Sequence, residues 1–205
     1  EEIRFRSPVA FSLCVIAALL GGCDEGGESG RSRGPLPSPG GGGAEPGLGL
    51  EATGLGGQYV QNLSITGGSW TGIGGGDTVV ITFRAEGMAE VRQFELDLEI
   101  EPFSAFVISE SAFEPAEPFV TLFSGVEPVA GKNNRVKSGA AYLTNSDFVR
   151  GDAELGTLRL ATSPDFSPRT EATIRVVFFS TGPNSGTRDN FLAGDLNMEL
   201  VVNGP

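Results

Sequence analysis

Few residues in this chain could carry out chemistry. Histidine is absent, which removes the side chain most often used as a general base near neutral pH and the commonest zinc ligand. Ser-His-Asp and Cys-His mechanisms are thereby excluded. The two cysteines, Cys14 and Cys23, both lie near the N-terminus, so the remainder has no thiolate nucleophile, no disulfide and no cysteine metal site. A pair of carboxylates could cleave a glycosidic bond without histidine. No such pair stands apart among the 26 Asp and Glu residues, and the sequence reads as that of a protein that is not an enzyme. Two groups of oxygen-bearing residues, Asn184, Asp189, Asn190 and Asp195, and Asn145 with Asp147, are of the type that calcium takes. Neither has the spacing of a calcium loop, and Asn and Asp are also what tight turns require. No cofactor is expected, with calcium as the alternative.

Binding chemistry is better represented. Glu95, Asp97, Glu99 and Glu101 alternate with Phe94, Leu96, Leu98 and Ile100, the period-two pattern of a strand with one buried face and one acidic face. Four like charges on one face repel. That favours a cation, a basic partner or a neighbouring strand carrying Lys or Arg, and the bland alternative is a solvated face that keeps the protein soluble. These four acids form the candidate binding face. A sugar platform needs exposed planar aromatics, and the chain has Trp70, Tyr59 and Tyr142 only. Trp70 lies in a Gly-rich loop, where it could meet a glycan or could instead plug one end of the core.

Cys23 has a context of its own. Arg4 and Arg6 give a basic start, residues 9–20 an apolar run of the length of a secretory h-region, and Leu20-Gly21-Gly22-Cys23 follows directly. This looks like the bacterial lipobox, with an apolar residue at −3, small residues at −2 and −1 and Cys at +1. The resemblance implies that residues 1–22 are a lipoprotein signal peptide and that the Cys23 thiol receives a diacylglyceryl group. Acyl chains stabilise membrane attachment by about 0.8 kcal/mol per buried methylene. A lipid-anchored protein of the cell envelope is the implied location; a plain secretion signal or an uncleaved anchor are the alternatives.

Residues 23–57 are rich in Gly, Pro and Ser, with Gly at 40–43 and Pro35, Pro37 and Pro39. Such composition cannot bury enough apolar surface to offset its ordering entropy and reads as a flexible tether. The net charge of -12 would repel nucleic acid and anionic lipid surfaces, so no nucleic-acid partner is expected. From residue 58 to 205 the pattern becomes short apolar runs punctuated by Gly, Pro, Asn and Asp. Beside the strand at 94–101, strands are expected at 59–65, 78–84, 105–109, 119–123, 136–143, 155–161, 172–180 and 196–202. Nine strands without a convincing helix point to an all-β sandwich. Val176, Val177, Phe178 and Phe179 make both faces of one strand apolar, which suggests a central position.

Gly76-Asp77-Thr78-Val79-Val80-Ile81-Thr82-Phe83, a Gly-containing turn and Gln93-Phe94-Glu95-Leu96-Asp97-Leu98-Glu99-Ile100-Glu101-Pro102 together resemble the opening of cohesin domains. There a Gly-Asp-Thr-Val strand precedes a strand ending Phe-x-Leu-x-Tyr-Asp-Pro, and Ile100-Glu101-Pro102 stands where Tyr-Asp-Pro is usual. Gly151 to Leu160, followed by Ala172-Thr173-Ile174-Arg175-Val176, is similar to the later Gly-x-Leu-x-x-Leu-x-Phe strand and its successor. The resemblance implies a nine-stranded jelly-roll β-sandwich, a fold shared with several carbohydrate-binding modules, and binding without catalysis. By the same resemblance a protein partner, dockerin-like or other, would dock on one sheet face. A carbohydrate-binding module, with a polysaccharide as partner, or a structural surface component are the alternatives.

Overall fold

The computed structural model describes residues 49–68, 70–109, 111–129, 132–144 and 147–205. The signal segment 1–22 with its lipobox Leu20, Gly21 and Gly22, the acylation candidate Cys23, Cys14, most of the tether and Asn145 lie outside the described residues. In chain order the strands are β1 (Leu50–Ala52), β2 (Asn62–Gly67), β3 (Thr78–Val91), β4 (Gln93–Glu101), β5 (Phe106–Val107), β6 (Phe113–Pro115), β7 (Val120–Val129), β8 (Lys132–Ala141), β9 (Val149–Thr162), β10 (Glu171–Asn184), β11 (Thr187–Leu192) and β12 (Glu199–Asn203). One four-residue helix, α1 (Ala193–Leu196), precedes the last strand.

The strands form two six-stranded antiparallel sheets. The first runs β1-β2-β3-β9-β5, with β6 also on β9; the second runs β11-β10-β4-β8-β7, with β12 also on β10. The chain crosses between the sheets repeatedly, so many strands that pair, such as β3 with β9 and β4 with β10, are far apart in sequence. Between the sheets lies one apolar core. Ile81, Phe83, Leu158 and Leu160 from the first sheet and Leu96, Leu98, Ile100, Val176 and Leu200 from the second are all essentially inaccessible to water. Period-two alternation places them there, since every second side chain of a strand faces the same way. A run of phenylalanines links the layers. Phe113 meets Phe83 at 6.1 Å and Phe94 at 6.0 Å, and Phe94 meets Phe119 edge-on at 5.0 Å, separations at which aromatic pairs attract.

Two bulges explain departures from simple alternation. In β10, Val176 pairs with Leu98 but Phe178 pairs with Asp97, so Val177 is an extra residue. Inward positions therefore pass from Ala172, Ile174 and Val176 to Phe179, and Phe178 is turned to the outer face. The fourfold apolar run thus has a bulge as one cause. Its central position is the other: β10 has β4 on one side and β12 followed by β11 on the other. In β9 the extra residue is Leu155, beside Gly156, which faces Phe83. A Cβ at Gly156 would lie 2.5 Å from the Glu114 carbonyl oxygen, so glycine is what lets β6 pack against β9.

Among the described residues, twelve strands replace the nine expected. β1 pairs with β2 through Leu50, Glu51 and Ala52, so the sheet begins inside the segment read as tether rather than at residue 58. β6 is three residues long, and β11 is an edge strand with mostly polar residues, so neither shows an apolar period. The final strand starts at Glu199 rather than 196, because Asp195 caps α1 by accepting a hydrogen bond from the Leu192 N–H at 2.9 Å. Leu196 and Met198 remain buried as the alternation requires.

Candidate binding face

The outer face of the second sheet gathers the charged and exposed apolar side chains. Glu95, Asp97, Glu99 and Glu101 all project from β4, and register fixes what stands beside them. Glu95 lies between Ser180 and Gly139, Asp97 between Phe178 and Lys137, Glu99 between Arg175 and Arg135. The Lys137 ammonium is 3.7 Å from both Glu95 and Asp97. Arg135 approaches Asp97 at 3.8 Å and Arg188, from β11, approaches Glu95 at 3.4 Å. Arg175 donates to Glu199 of β12 from Nε at 2.9 Å. That hydrogen bond, with the fields of Glu99 and Glu101, pushes its pKa above the usual arginine value.

The acidic row thus has cations beside it. Neighbouring strands supply cations, one of the three arrangements that four like charges favour, and Asp97 is only 4% exposed despite standing on an outer face. Apolar groups flank the charged strip. Leu122 and Phe123 on β7 are 53% and 44% exposed, and Leu192, opposite Phe178 at the other margin, is 63% exposed. The Phe123 ring lies on Gly139, where a Cβ would be 2.4 Å from it; only a glycine there lets the ring settle against the sheet. Between these margins is a shallow cavity of about 170 Å³ lined by Glu95, Leu122, Phe123, Ser180 and Arg188. The face has charges paired at its centre and apolar groups at its sides.

Solved cohesin modules are among the structures to which this chain is similar. A type I cohesin–dockerin complex from Clostridium thermocellum is 15% identical with a TM-score of 0.46, over 66% of this chain and 94% of that one. The sixth cohesin of Acetivibrio cellulolyticus scaffoldin B, in complex with a Cel5 dockerin mutant, is 13% identical with a TM-score of 0.44 over the same shares. The seventh ScaB type I cohesin of Pseudobacteroides cellulosolvens is 10% identical with a TM-score of 0.45, over 66% of this chain and 87% of that one. No family model matches the chain and no curated protein matches it. The fold as described rests on the chain's own strand pairings.

The other candidate residues are placed differently. Trp70 is 2% exposed, with its indole against Gly67 and its carbonyl accepting from the Asn203 N–H at 2.8 Å. It closes one end of the sandwich and offers no face to a glycan, which corrects the reading of Trp70 as a sugar contact. Tyr59 is buried and Tyr142 half-buried. Asp189 accepts from the Gln58 and Tyr59 N–H groups at 3.0 and 2.6 Å, Asn184 accepts from the Gly186 N–H and Asp195 caps α1. These oxygens serve turns and caps, and among the described residues no three carboxylates gather as a metal site.

Sequence reasoning missed Arg135, Lys137, Arg175 and Arg188, and the apolar margin of Leu122, Phe123 and Leu192. A signal for two of them was present. Arg135 and Lys137 recur with the same spacing as Glu95 and Asp97, as two facing strands of opposite charge would.

Proposed function

We propose that this chain is a non-catalytic protein-binding module held at a bacterial cell envelope, with the lipid on Cys23, the Gly- and Pro-rich segment as spacer and the outer face of the second sheet as the docking surface. The observation that carries the reading is the makeup of that face. A patch with apolar groups at its margins and fixed, mutually paired charges at its centre suits recognition of a protein. A sugar site would need more exposed aromatic surface than the single Phe123 ring supplies, and a small-molecule site a deeper concavity than the cavity of about 170 Å³ on this face. The lipobox and the spacer composition support the attachment, and the sequence likeness to cohesin domains supports the type of partner.

Site-specific photo-crosslinking in the intact envelope tests the docking surface. A photo-reactive phenylalanine analogue in place of Leu192 gives a discrete protein adduct, while the same group in place of Val107, which is exposed on the first sheet, gives none. Adducts from Val107 alone would place recognition elsewhere. Attachment is tested separately by detergent phase partitioning. The native chain enters the detergent phase and Cys23→Ser stays in the aqueous phase; equal partitioning of a processed product would remove the lipid from the account.

A further inference from the structure

One part of the outer face of the second sheet is built of small residues. Across the strands the order is Phe123 on β7, Gly139 on β8, Glu95 on β4, Ser180 on β10 and Asn190 on β11, so Glu95 stands between a glycine and a serine. The lack of bulk on either side leaves the cavity of about 170 Å³, with Leu122 and Phe123 on one flank and Arg188 on the other. Ser180 lines this cavity, shares the outward side of the sheet with Glu95 and is only 1% exposed. Its Oγ has no hydrogen-bond partner among the described residues. A buried hydroxyl in that condition is destabilising until a partner supplies the missing bond.

We propose that this cavity takes the ring of one tyrosine from the protein that docks on the face, its phenol oxygen bonding to Ser180. The inference rests on the docking reading given above and adds what the partner must present. A cavity of about 150 Å³ holds a single benzene ring, so the space admits one six-membered ring and is too small for an indole. Leu122 and Phe123 give that ring an apolar wall. Charge narrows the choice further. Glu95 is already engaged by Arg188 at 3.4 Å and by Lys137 at 3.7 Å, so a cationic tip would meet two cations and an anionic tip would meet Glu95. A phenol is neutral and both donates and accepts through one oxygen, which suits the Ser180 hydroxyl and the Gln93 amide, both at this cavity. Phenylalanine would fill the same space and leave Ser180 unpaired. Tyrosine is also among the side chains that most often anchor protein interfaces.

Two probes of the full chain test the site. p-Cresol and toluene, the side-chain analogues of tyrosine and phenylalanine, are titrated into isotope-labelled protein and followed through the amide NMR signals of Gly139, Ser180 and Arg188. p-Cresol is expected to bind with a dissociation constant on the order of 1 mM, and toluene roughly fivefold more weakly, the effect of one hydrogen bond. Ser180→Ala, which removes an unpaired hydroxyl and leaves Tm no lower, makes the two probes equal, and Phe123→Ala weakens both. The absence of a saturable shift at these amides, toluene binding as well as p-cresol, or a preference that survives Ser180→Ala overturns the assignment. The source of the ring is read in the intact envelope. A photo-reactive phenylalanine analogue in place of Ser185, an exposed residue that also lines the cavity, gives an adduct whose partner peptide carries a tyrosine. A tyrosine-free peptide there, or an adduct from Leu192 with none from Ser185, overturns this inference and leaves docking on the face standing, whereas silence at both positions removes the docking reading as well.

Discussion

Asp97 stands on a face that water reaches, yet its side chain is enclosed by Phe178 on one strand and Lys137 on the next. Enclosure makes the two cations near it, at 3.7 and 3.8 Å, a requirement, since a buried charge without a partner is costly. Asp97→Ala leaves Lys137 and Arg135 facing each other across the gap. Because both cations are about 30% exposed and can turn to water, the expected loss is about 2 kcal/mol, between the surface and buried limits. It is read as a lower urea midpoint at unchanged slope. The alternation that puts Asp97 outward is plain in the sequence. Its enclosure is not, because that depends on a bulge at Val177 and on a register with β8 that no single strand encodes. Trp70 shows the same limit: a lone tryptophan among glycines is compatible with exposure or with sealing the core, and contacts with Gly67 and Asn203 decide it.

Elements were legible where one face is apolar and the other polar. The alternation of β4 and of the last strand is explicit, and the apolar run in β10 marks it as central. β1 and β6 are too short to show a period. β11 was hidden for a different reason: Thr187, Arg188, Asp189 and Asn190 read as a turn, and only Phe191 betrays the sheet. Phe191 stacks on Phe179 at 6.0 Å with the rings 22° apart, and Asp189 binds the backbone that enters β2. β11 is therefore a structural strand as well as the source of Arg188. Phe191→Ala is expected to lower stability by about 3 kcal/mol, the usual cost of emptying a buried aromatic site. Differential scanning calorimetry would show it as a fall in Tm, whereas an unchanged Tm would mean that β11 is peripheral.

At the scale of the whole molecule, an all-β sandwich was readable from composition and period, because apolar residues placed every second position have only another sheet to bury against. Strand order was not readable, since it depends on crossings between sheets. The same crossings assemble the candidate face from β4, β8, β10 and β11, separated by up to about ninety residues, which is why only its β4 row was foreseen. In the proposed function a protein partner docks on this face. Titration calorimetry of the cross-linked partner against the native chain, Arg188→Glu, Leu192→Asp and Arg84→Glu tests it most directly, Arg84 being on the first sheet. The two changes on the second sheet should weaken binding by roughly tenfold or more, about 1.4 kcal/mol each, with Arg84→Glu unchanged; full affinity in both second-sheet variants would mean that the partner docks elsewhere.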